Sequence, residues 1–244
     1  IIENELHNGM MIDDVVTRRG THVQMMECPT LGLTCIMDGL IQSTELDQKI
    51  YHYALVKRAM DQANQIWKDE PLNIMIIGGG EGAVAREVFL RGRKIGRVDM
   101  FEWDEEVVTL FRDKYPQWSN GAFEDPRLHL HYDDITERLD GDKILVDENE
   151  VTYHIILVDL FDMTSEKELE MMKTCIEKLG TWLHEKGTCV MYVGMENATY
   201  TNDLIHNLLE DKTVFPEHSR LPYREFIPSY EGHADFLWFC PRSG

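Results

Sequence analysis

The order of hydrophobic and polar positions divides the chain into two parts. Residues 21–45 form short strand-like runs, HVQMME, LTCIMD and DGLIQSTE, and Pro and Gly residues mark the turns between them. Short runs separated by turn residues are typical of antiparallel strands. The pattern therefore predicts a small N-terminal antiparallel β domain over residues 1–46 and a second domain over residues 47–244.

The second part predicts an α/β fold. A helical period begins at Asp47, which is expected to be a carboxylate of the first turn. After Pro71 the strand patterns NIMIIGGG, RVDMFEW, RLHLHY, TYHIILVDLFD and TCVMYVG are each followed by a helical pattern, among them DITERL and EKELEMMKTCIEKLGTWLHEKG. The tail adds strands around SRLPYREFIPSY and DFLWFCP, and residues 139–150 predict an acidic hairpin insertion. This alternation indicates a parallel sheet with helices on both faces.

The composition narrows the range of partners. The 244 residues are 43% apolar and 28% charged, an ordinary mixture for a globular protein. No apolar run approaches the ~20 residues that cross a bilayer, so we expect no membrane partner. The net charge of −20 disfavours nucleic acid and anionic membranes and suits a cationic partner or substrate. A surface charge for solubility, or a salt-tolerant source, explains it equally well.

Cysteine and histidine residues indicate the compartment and the absence of a metal. Five scattered cysteines without a CxxC pair predict a reducing intracellular compartment, and we expect a cytoplasmic protein. His129 and His131 share one face of a strand, but the sequence places no third ligand near them. We therefore expect no metal site.

The run IIGGGEG predicts a nucleotide site at the end of the first strand of the second domain. Ligands of open α/β sheets bind at the carboxyl ends of the strands, and Gly78 and Gly80 let the backbone approach a ligand. Glu102 ends the next strand, 24 residues after Gly78, near the offset of about 20 residues at which an acid binds ribose hydroxyls. Asp134 follows the third strand and can accept a hydrogen bond from an adenine amine. A tight strand-to-helix turn without a ligand is the alternative.

A carboxylate within the glycine run, Glu81, indicates the charge of the ligand. Three strand ends carry acids and none carries a basic residue, which favours an adenosine with a cationic substituent over a pyrophosphate. Glu81 would repel the carboxylate of S-adenosylmethionine. It would instead accept a charge-assisted hydrogen bond from the propylammonium of the decarboxylated form. The alternative is that Glu81 caps the next helix from solvent.

The fourth strand ends with two acids, Asp159 and Asp162, which predict a site for amine chemistry. One carboxylate can hold a cationic amine while the other takes the proton of an attacking amine, whose pKa is ordinarily about 10. Tyr51 and Tyr230 offer rings and hydroxyls that can contact a polyamine. An acidic cap for the following helix, and ordinary packing of the tyrosines, are the alternatives.

The motifs, taken in order, resemble a known family. IMDGLIQSTELDQKIYHYALVKRAM, IIGGGEGAVAREV, FEWDEEVV, DPRLHLHYDD, LVDLFD and IPSY are similar to the polyamine aminopropyltransferases, which include the spermidine, spermine and thermospermine synthases, over about residues 21–240. The resemblance implies a Rossmann-like, seven-stranded methyltransferase-type sheet beside the small β domain, and a homodimer. It also implies transfer of an aminopropyl group from decarboxylated S-adenosylmethionine to a polyamine, with release of methylthioadenosine and without a cofactor.

The resemblance also assigns roles to residues. Asp159 falls on the catalytic base and Asp162 on the acid that holds the acceptor amine. Tyr51 and Tyr230 fall on the substrate tyrosines. The donor-binding positions fall on these residues: Gln24 (nearest to the first of the family's two glutamines), Gln42, His52, Gly78, Gly80, Glu81, Glu102 and Asp134.

The acceptor side departs from the family. The family reads D-x-x-D-P after the fourth strand, followed by a G-P-A loop over the substrate, whereas this chain reads DLFDMTSEKELEM. Two other functions therefore stay open: a methyltransferase that uses intact S-adenosylmethionine, and a non-catalytic relative that binds a polyamine or a nucleoside. The sequence does not indicate which polyamine would accept the group.

Overall fold

A computed structural model describes most of the chain. The described residues are 2–135, 145–146, 149–160, 162–196, 198–210 and 213–242, with the backbone alone at 145–146 and 149–150. The elements are α1 (Ile2–Asn8), β1 (Met10–Val16), β2 (His22–Cys28), β3 (Gly32–Met37), β4 (Leu40–Thr44), α2 (Gln48–Ile66), β5 (Leu72–Gly78), α3 (Ala83–Arg91), β6 (Ile95–Phe101), α4 (Glu105–Lys114), β7 (Leu128–His131), β8 (Leu145–Val146), β9 (Asn149–Glu150), β10 (Tyr153–Asp159), α5 (Glu166–Trp182), β11 (Leu183–Met195), α6 (Thr199–Glu210), β12 (His218–Ile227) and β13 (Gly232–Pro241).

The N-terminal part contains a four-stranded antiparallel sheet in the order β1-β2-β3-β4. This agrees with the small antiparallel unit predicted from the sequence. Helix α1 and strand β1 are not evident in the sequence, because nearly every side chain of β1 is exposed and the strand shows no apolar alternation. The domain boundary between residues 46 and 47 stays a prediction.

The second sheet has seven strands in the order β12-β13-β11-β10-β5-β6-β7. Strands β7, β6, β5, β10 and β11 run parallel, whereas β13 pairs antiparallel with both β11 and β12. The α/β class and the seven strands are confirmed, but the sheet is mixed rather than wholly parallel. The reason is the tail: β12 and β13 are joined by a short turn instead of a crossover helix, so they form a hairpin.

Both faces of this sheet are buried. Along β5, Ile74 and Ile76 pack on the side of α2 and α3, while Met75 and Ile77 pack on the side of α5 and α6. A strand that is covered on both faces is apolar along most of its length. This burial explains the uninterrupted apolar run before the glycines and places the glycine turn at the edge of a rigid core.

Two predicted elements differ from the structure or lie partly beyond the described residues. Helix α5 ends at Trp182, five residues before the predicted end, because Leu183 already pairs with Tyr153 of β10. Residues 136–139 of the predicted DITERL helix lie outside the described residues. Of the predicted acidic hairpin, the antiparallel pair β8–β9 is described. No helix within the described residues is long and apolar enough to cross a membrane.

Candidate active site

The carboxyl ends of the parallel strands and the β3–β4 turn enclose a cavity of about 680 Å³. This volume falls within the range of about 300–1,000 Å³ that is typical of small-molecule sites. All predicted site residues except Gln24 line it: Gln42, Tyr51, His52, Gly78, Gly80, Glu81, Glu102, Asp134, Asp159, Asp162 and Tyr230.

Gln24 does not reach this cavity. Its neighbours in β2, Val23 and Met25, are fully buried, so the alternation of a strand directs Gln24 to the opposite face. There its amide donates a hydrogen bond to Asp14 Oδ2 at 3.0 Å. The expected donor contact of Gln24 is therefore not part of the observed site.

The glycine turn brings three strand ends together. Gly78 has a φ of 81°, and a Cβ at this position would lie 2.0 Å from the carbonyl oxygen of Asp159. A Cβ at Gly80 would lie 3.1 Å from Glu102 Oε2. The glycines thus serve a tight turn, and the same turn brings Glu81, Glu102 and Asp159 to one cavity.

Glu81 presents a carboxylate oxygen without a partner. Its side chain is buried, and its Oε1 accepts a hydrogen bond from Ser43 Oγ at 2.6 Å, which in turn accepts one from Trp118 Nε1. Its Oε2 is buried and has no hydrogen-bond partner within the described part of the chain. Burial raises the pKa of Glu81 to about 7 against the opposing effect of the Ser43 hydrogen bond. A bound cation would relieve this cost of desolvation.

Glu81 does not cap the following helix. The residue at the N-terminal cap of α3 is Gly82, and no side chain accepts a hydrogen bond there. Because the Glu81 carboxylate is buried in the cavity wall rather than exposed to solvent, the helix-capping alternative does not hold.

His52 supplies a second acceptor beside Glu81. Burial lowers the pKa of His52 to about 3, so the ring is neutral. Its Nδ1 lies 2.5 Å from the carbonyl oxygen of Gln48, which can only accept, and we therefore assign the proton to Nδ1 and a lone pair to Nε2. Nε2 lies 3.8 Å from Glu81 Oε2. Two acceptors that face each other in this way can be bridged by one ammonium group.

Glu102 and Asp134 line the cavity beyond the glycine turn. Glu102 accepts a hydrogen bond from the backbone N–H of Asp104 at 3.1 Å, and burial nevertheless raises its pKa to about 7. Asp134 follows β7 and lines the same cavity. The two acids that the sequence places after neighbouring strands therefore share one site.

Asp159 is held by Tyr51. The Tyr51 hydroxyl on α2 donates to Asp159 Oδ1 at 2.6 Å. Burial and the nearby Asp162 raise the pKa of Asp159 to about 6, although the Tyr51 hydrogen bond lowers it. The same burial raises the pKa of Tyr51 well above its ordinary value, so the phenol stays a donor. A carboxylate with this pKa is suited to accept a proton near neutral pH.

Asp162 is held by a residue that the sequence analysis did not single out. The Tyr192 hydroxyl, near the end of β11, donates to Asp162 Oδ1 at 2.6 Å, and Tyr192 lines the cavity. Its position in an apolar run, TCVMYVG, reads as core, and only its place at the carboxyl end of a parallel strand could have drawn attention to it. The N-cap of α5 is Ser165, so neither Asp159 nor Asp162 caps that helix.

Asp47 ties the C-terminal tyrosine to the site. It occupies the N-cap of α2 but makes no side-chain capping hydrogen bond, contrary to its predicted first-turn role. Its carboxylate accepts instead from Ser229 N at 2.6 Å, Ser229 Oγ at 3.1 Å and Thr44 Oγ1 at 2.8 Å. The adjacent Tyr230 donates its hydroxyl to the carbonyl oxygen of Gln42 at 2.6 Å. Residues far apart in sequence are thereby fixed on one wall.

The charge of the cavity wall has a single sign. Within the described residues, the lining includes no lysine and no arginine. The carboxylates that line it are Asp38, Glu81, Glu102, Asp133, Asp134, Asp159, Asp162 and Glu168. Such a wall attracts cations and concentrates them near the site.

The chain is similar to proteins of one family. A family model described as the spermine/spermidine synthase domain matches residues 48–241. Polyamine aminopropyltransferase 2 of Pseudomonas aeruginosa is 35% identical over 208 residues, which cover 83% of this chain and 54% of the relative. Polyamine aminopropyltransferase of Aeropyrum pernix is 28% identical over 238 residues, covering 93% of this chain and 69% of the relative.

Solved structures share the fold. A spermidine synthase in complex with the transition state analogue AdoDATO superposes with a TM-score of 0.78 at 22% identity, covering 94% of this chain and 73% of that one. The spermidine synthase of Thermotoga maritima gives a TM-score of 0.74 at 23% identity, covering 94% and 72%.

Fold and site together define an α/β protein with a carboxylate-lined cavity at the carboxyl ends of its parallel strands. The chain belongs to the spermine/spermidine synthase family. It spans about half the length of the Pseudomonas aeruginosa relative.

Proposed function

We propose that this protein is an aminopropyltransferase that uses decarboxylated S-adenosylmethionine and a polyamine. The observation that carries the proposal is the pair of buried acceptors, Glu81 Oε2 and His52 Nε2, which face each other across 3.8 Å in a wall of carboxylates. A propylammonium bound between them would satisfy both, whereas the carboxylate of intact S-adenosylmethionine would meet Glu81 with like charge.

The proposed donor site occupies the part of the cavity around the glycine turn. Glu102 would accept hydrogen bonds from the ribose hydroxyls, and Asp134 would accept one from the adenine amine. Gly78 and Gly80 would allow the close approach of the nucleoside, and Gln42 would contact the donor from β4. The donor is a co-substrate in this scheme, and we propose no cofactor.

The proposed reaction is a direct displacement at carbon. The lone pair of the acceptor nitrogen attacks the methylene beside the sulfonium, and the electrons of the carbon–sulfur bond pass to sulfur, which leaves as neutral methylthioadenosine. The proton of the attacking amine goes to the carboxylate of Asp159. Asp162, Tyr51 and Tyr230 would hold the acceptor. Most of the rate enhancement would come from orientation and proton removal, since the sulfonium is already a good leaving group.

We also propose a cytoplasmic homodimer, as the family resemblance implies. All five cysteines are buried and free, which fits a reducing compartment.

Product analysis tests the function directly. The protein is incubated with decarboxylated S-adenosylmethionine and with a panel of diamines, triamines and tetraamines, and products are identified by mass spectrometry. We expect one acceptor to gain an aminopropyl group, with an equal amount of methylthioadenosine. Asp159→Asn should retain donor binding and lose turnover. Absence of methylthioadenosine with every acceptor would contradict the proposal, and methyl transfer from S-adenosylmethionine would favour a methyltransferase instead.

A further inference from the structure

The hydroxyl of Tyr192 contacts the carboxylate of Asp162, and the proposed reaction gives Tyr192 no role. Asp162 lies in the segment between β10 and α5, where the sequence lacks the proline and glycine of the family pattern. The hydrogen bond from Tyr192 to Asp162 Oδ1, at 2.6 Å, ties this segment to β11. It occupies one oxygen of the carboxylate and leaves Oδ2 for a ligand.

The position of Tyr192 is itself fixed from several sides. Its ring packs edge-on against Tyr51 at 5.5 Å between centroids and lies 5.9 Å from Phe236. The pairing of β11 with β13 shifts between Tyr192 and Gly194, and such irregularities in strands re-aim side chains beside functional sites. The Tyr192 side chain is 7% exposed, and burial raises its pKa far above the ordinary value. It therefore acts as a rigid, neutral donor.

Tyr51 and Tyr192 hold the two aspartates in the same way. Each hydroxyl donates to one of the two acids at the end of the fourth parallel strand, and both distances are 2.6 Å. Because the two rings contact each other, the positions of Asp159 and Asp162 are set by one packed unit rather than independently.

We propose that Tyr192 is a positioning residue that sets the preference for acceptors with a second ammonium group. It would orient Asp162 so that Oδ2 binds the distal ammonium while Asp159 receives the proton from the reacting amine. This inference rests on the proposed aminopropyl transfer and names which side chain selects its acceptor. It also explains how the site keeps Asp162 in place without the proline of the family pattern.

Kinetics with matched acceptors test the role of Tyr192. The fastest polyamine of the panel is compared with its analogue in which a methyl group replaces the distal amine. Tyr192→Phe keeps the ring and removes the hydroxyl. We expect it to raise the KM for the polyamine about tenfold, the effect of losing one hydrogen bond to a charged group. The kcat, the KM for the donor and the KM for the analogue should change less than about twofold.

A double-mutant cycle and a matched control separate positioning from packing. In the Asp162→Asn background, Tyr192→Phe should add little, because its partner is already altered. Tyr223→Phe is the control: its hydroxyl donates to Ala54 O at 2.8 Å and its ring stacks on Phe236, but it does not line the cavity. It should lower the melting temperature without changing the KM for the polyamine.

Three outcomes would overturn the inference. Equal changes in the KM for polyamine and for analogue would show that Tyr192 does not act on the distal ammonium. A full effect of Tyr192→Phe in the Asp162→Asn background would show that it does not act through Asp162. Calorimetric binding of the polyamine, which needs no turnover, should weaken about tenfold in Tyr192→Phe, and unchanged binding would contradict the inference even if the wild-type protein proved inactive and the proposed function failed.

Discussion

Burial, more than neighbouring charge, raises the pKa values of three acids in the cavity. It is the largest cause of the raised pKa of Glu81, Glu102 and Asp159. Without a ligand, these carboxyls therefore hold protons at a pH where exposed acids are ionised. A cationic ligand reverses this, because it stabilises the ionised form. The residues proposed to bind the donor would thus also make its binding depend on pH.

Donor binding should release protons below neutral pH. Glu81 has a pKa of about 7 in the unliganded protein, so at pH 6 it is mostly protonated and must ionise when the propylammonium binds. We expect calorimetry in two buffers of different ionisation enthalpy to show release of about one proton at pH 6 and almost none at pH 8. The donor Kd should fall as pH rises towards 7. Glu81→Gln should weaken donor binding and abolish most of this release, and an unchanged release would contradict the assignment.

The pKa values of Glu81 and Glu102 also affect the stability of the fold, which should decrease as the pH rises, whereas donor binding should strengthen. Their pKa values are raised from the ordinary 4.5 to about 7 in the folded chain, so protonation favours the folded state. Their contribution to the free energy of unfolding is fully present below about pH 4.5 and is lost as the pH rises to about 7. Saturating donor should offset this loss, because it binds the ionised form.

At the scale of the elements, the site depends on contacts between segments that are far apart in sequence. The end of β5 touches the end of β10 at Gly78, and the start of α2 holds the turn between β12 and β13 through Asp47. Both contacts involve backbone groups, so they fix the positions of whole elements. Substitutions at these points should disturb the site although neither residue does chemistry.

Gly78→Ala should destabilise the fold strongly. The new Cβ would lie 2.0 Å from the Asp159 carbonyl oxygen at a φ of 81°, so the strand ends must separate. We expect a loss of more than about 3 kcal/mol in the free energy of unfolding, measured by urea denaturation, together with loss of turnover. Gly121→Ala is the matched control, since its φ is 84° but no atom of the described residues lies within 4 Å of the new Cβ; it should cost only about 1 kcal/mol. Equal losses in the two variants would show that the contact with Asp159 does not matter.

Asp47→Ala should impair acceptor binding indirectly. It removes the acceptor of three hydrogen bonds, two of them from Ser229, and leaves a buried backbone N–H without its partner. We expect a loss of about 2–3 kcal/mol in stability and a several-fold rise in the KM for the acceptor, because Tyr230 is no longer held. Asp47→Asn keeps one accepting oxygen and should lie between wild type and Asp47→Ala. A stability loss without any change in the acceptor KM would show that Asp47 does not position Tyr230.

At the scale of the whole molecule, the charge of the chain and that of the cavity have the same sign. The net charge is −20, and the described cavity lining has no lysine or arginine to offset its carboxylates. The general negative charge of the chain and the carboxylates of the cavity therefore reinforce each other. This should attract polyamines over a distance comparable with the Debye length, about 10 Å at 0.1 M salt.

Salt should weaken acceptor capture in proportion to the charge of the acceptor. Between about 50 and 300 mM NaCl we expect kcat/KM to fall several-fold for a tetraamine and less for a diamine, with kcat nearly constant. Sucrose at equal osmolality should have little effect and serves as the control. An equal response of both acceptors would indicate that long-range attraction does not contribute.

The sequence by itself determined the order of most elements from β2 onward and many of the residues that line the candidate site. The apolar run of β5 before its glycine turn, and the acids after three further strands, predict the fold and one shared edge. Parallel strands bring their carboxyl ends to the same side of the sheet. The apolar run, the glycine turn and the acids after the strands are local patterns, so they can be recognised from residues that are close together in the sequence. Glu81, Glu102, Asp134 and Asp159 could therefore be placed together from spacing alone.

Only the tertiary structure decided which side chains form hydrogen bonds with each other around the cavity. Tyr192 reads as core until β11 lies beside β10, and Asp47 reads as a helix cap until the C-terminal turn reaches it. Gln24 matched by proximity in sequence, yet the alternation of β2 turns it away from the cavity. The sheet order and the face of each strand arise from packing between distant segments. A local pattern cannot report the pKa of a buried acid, because burial is a property of the folded whole.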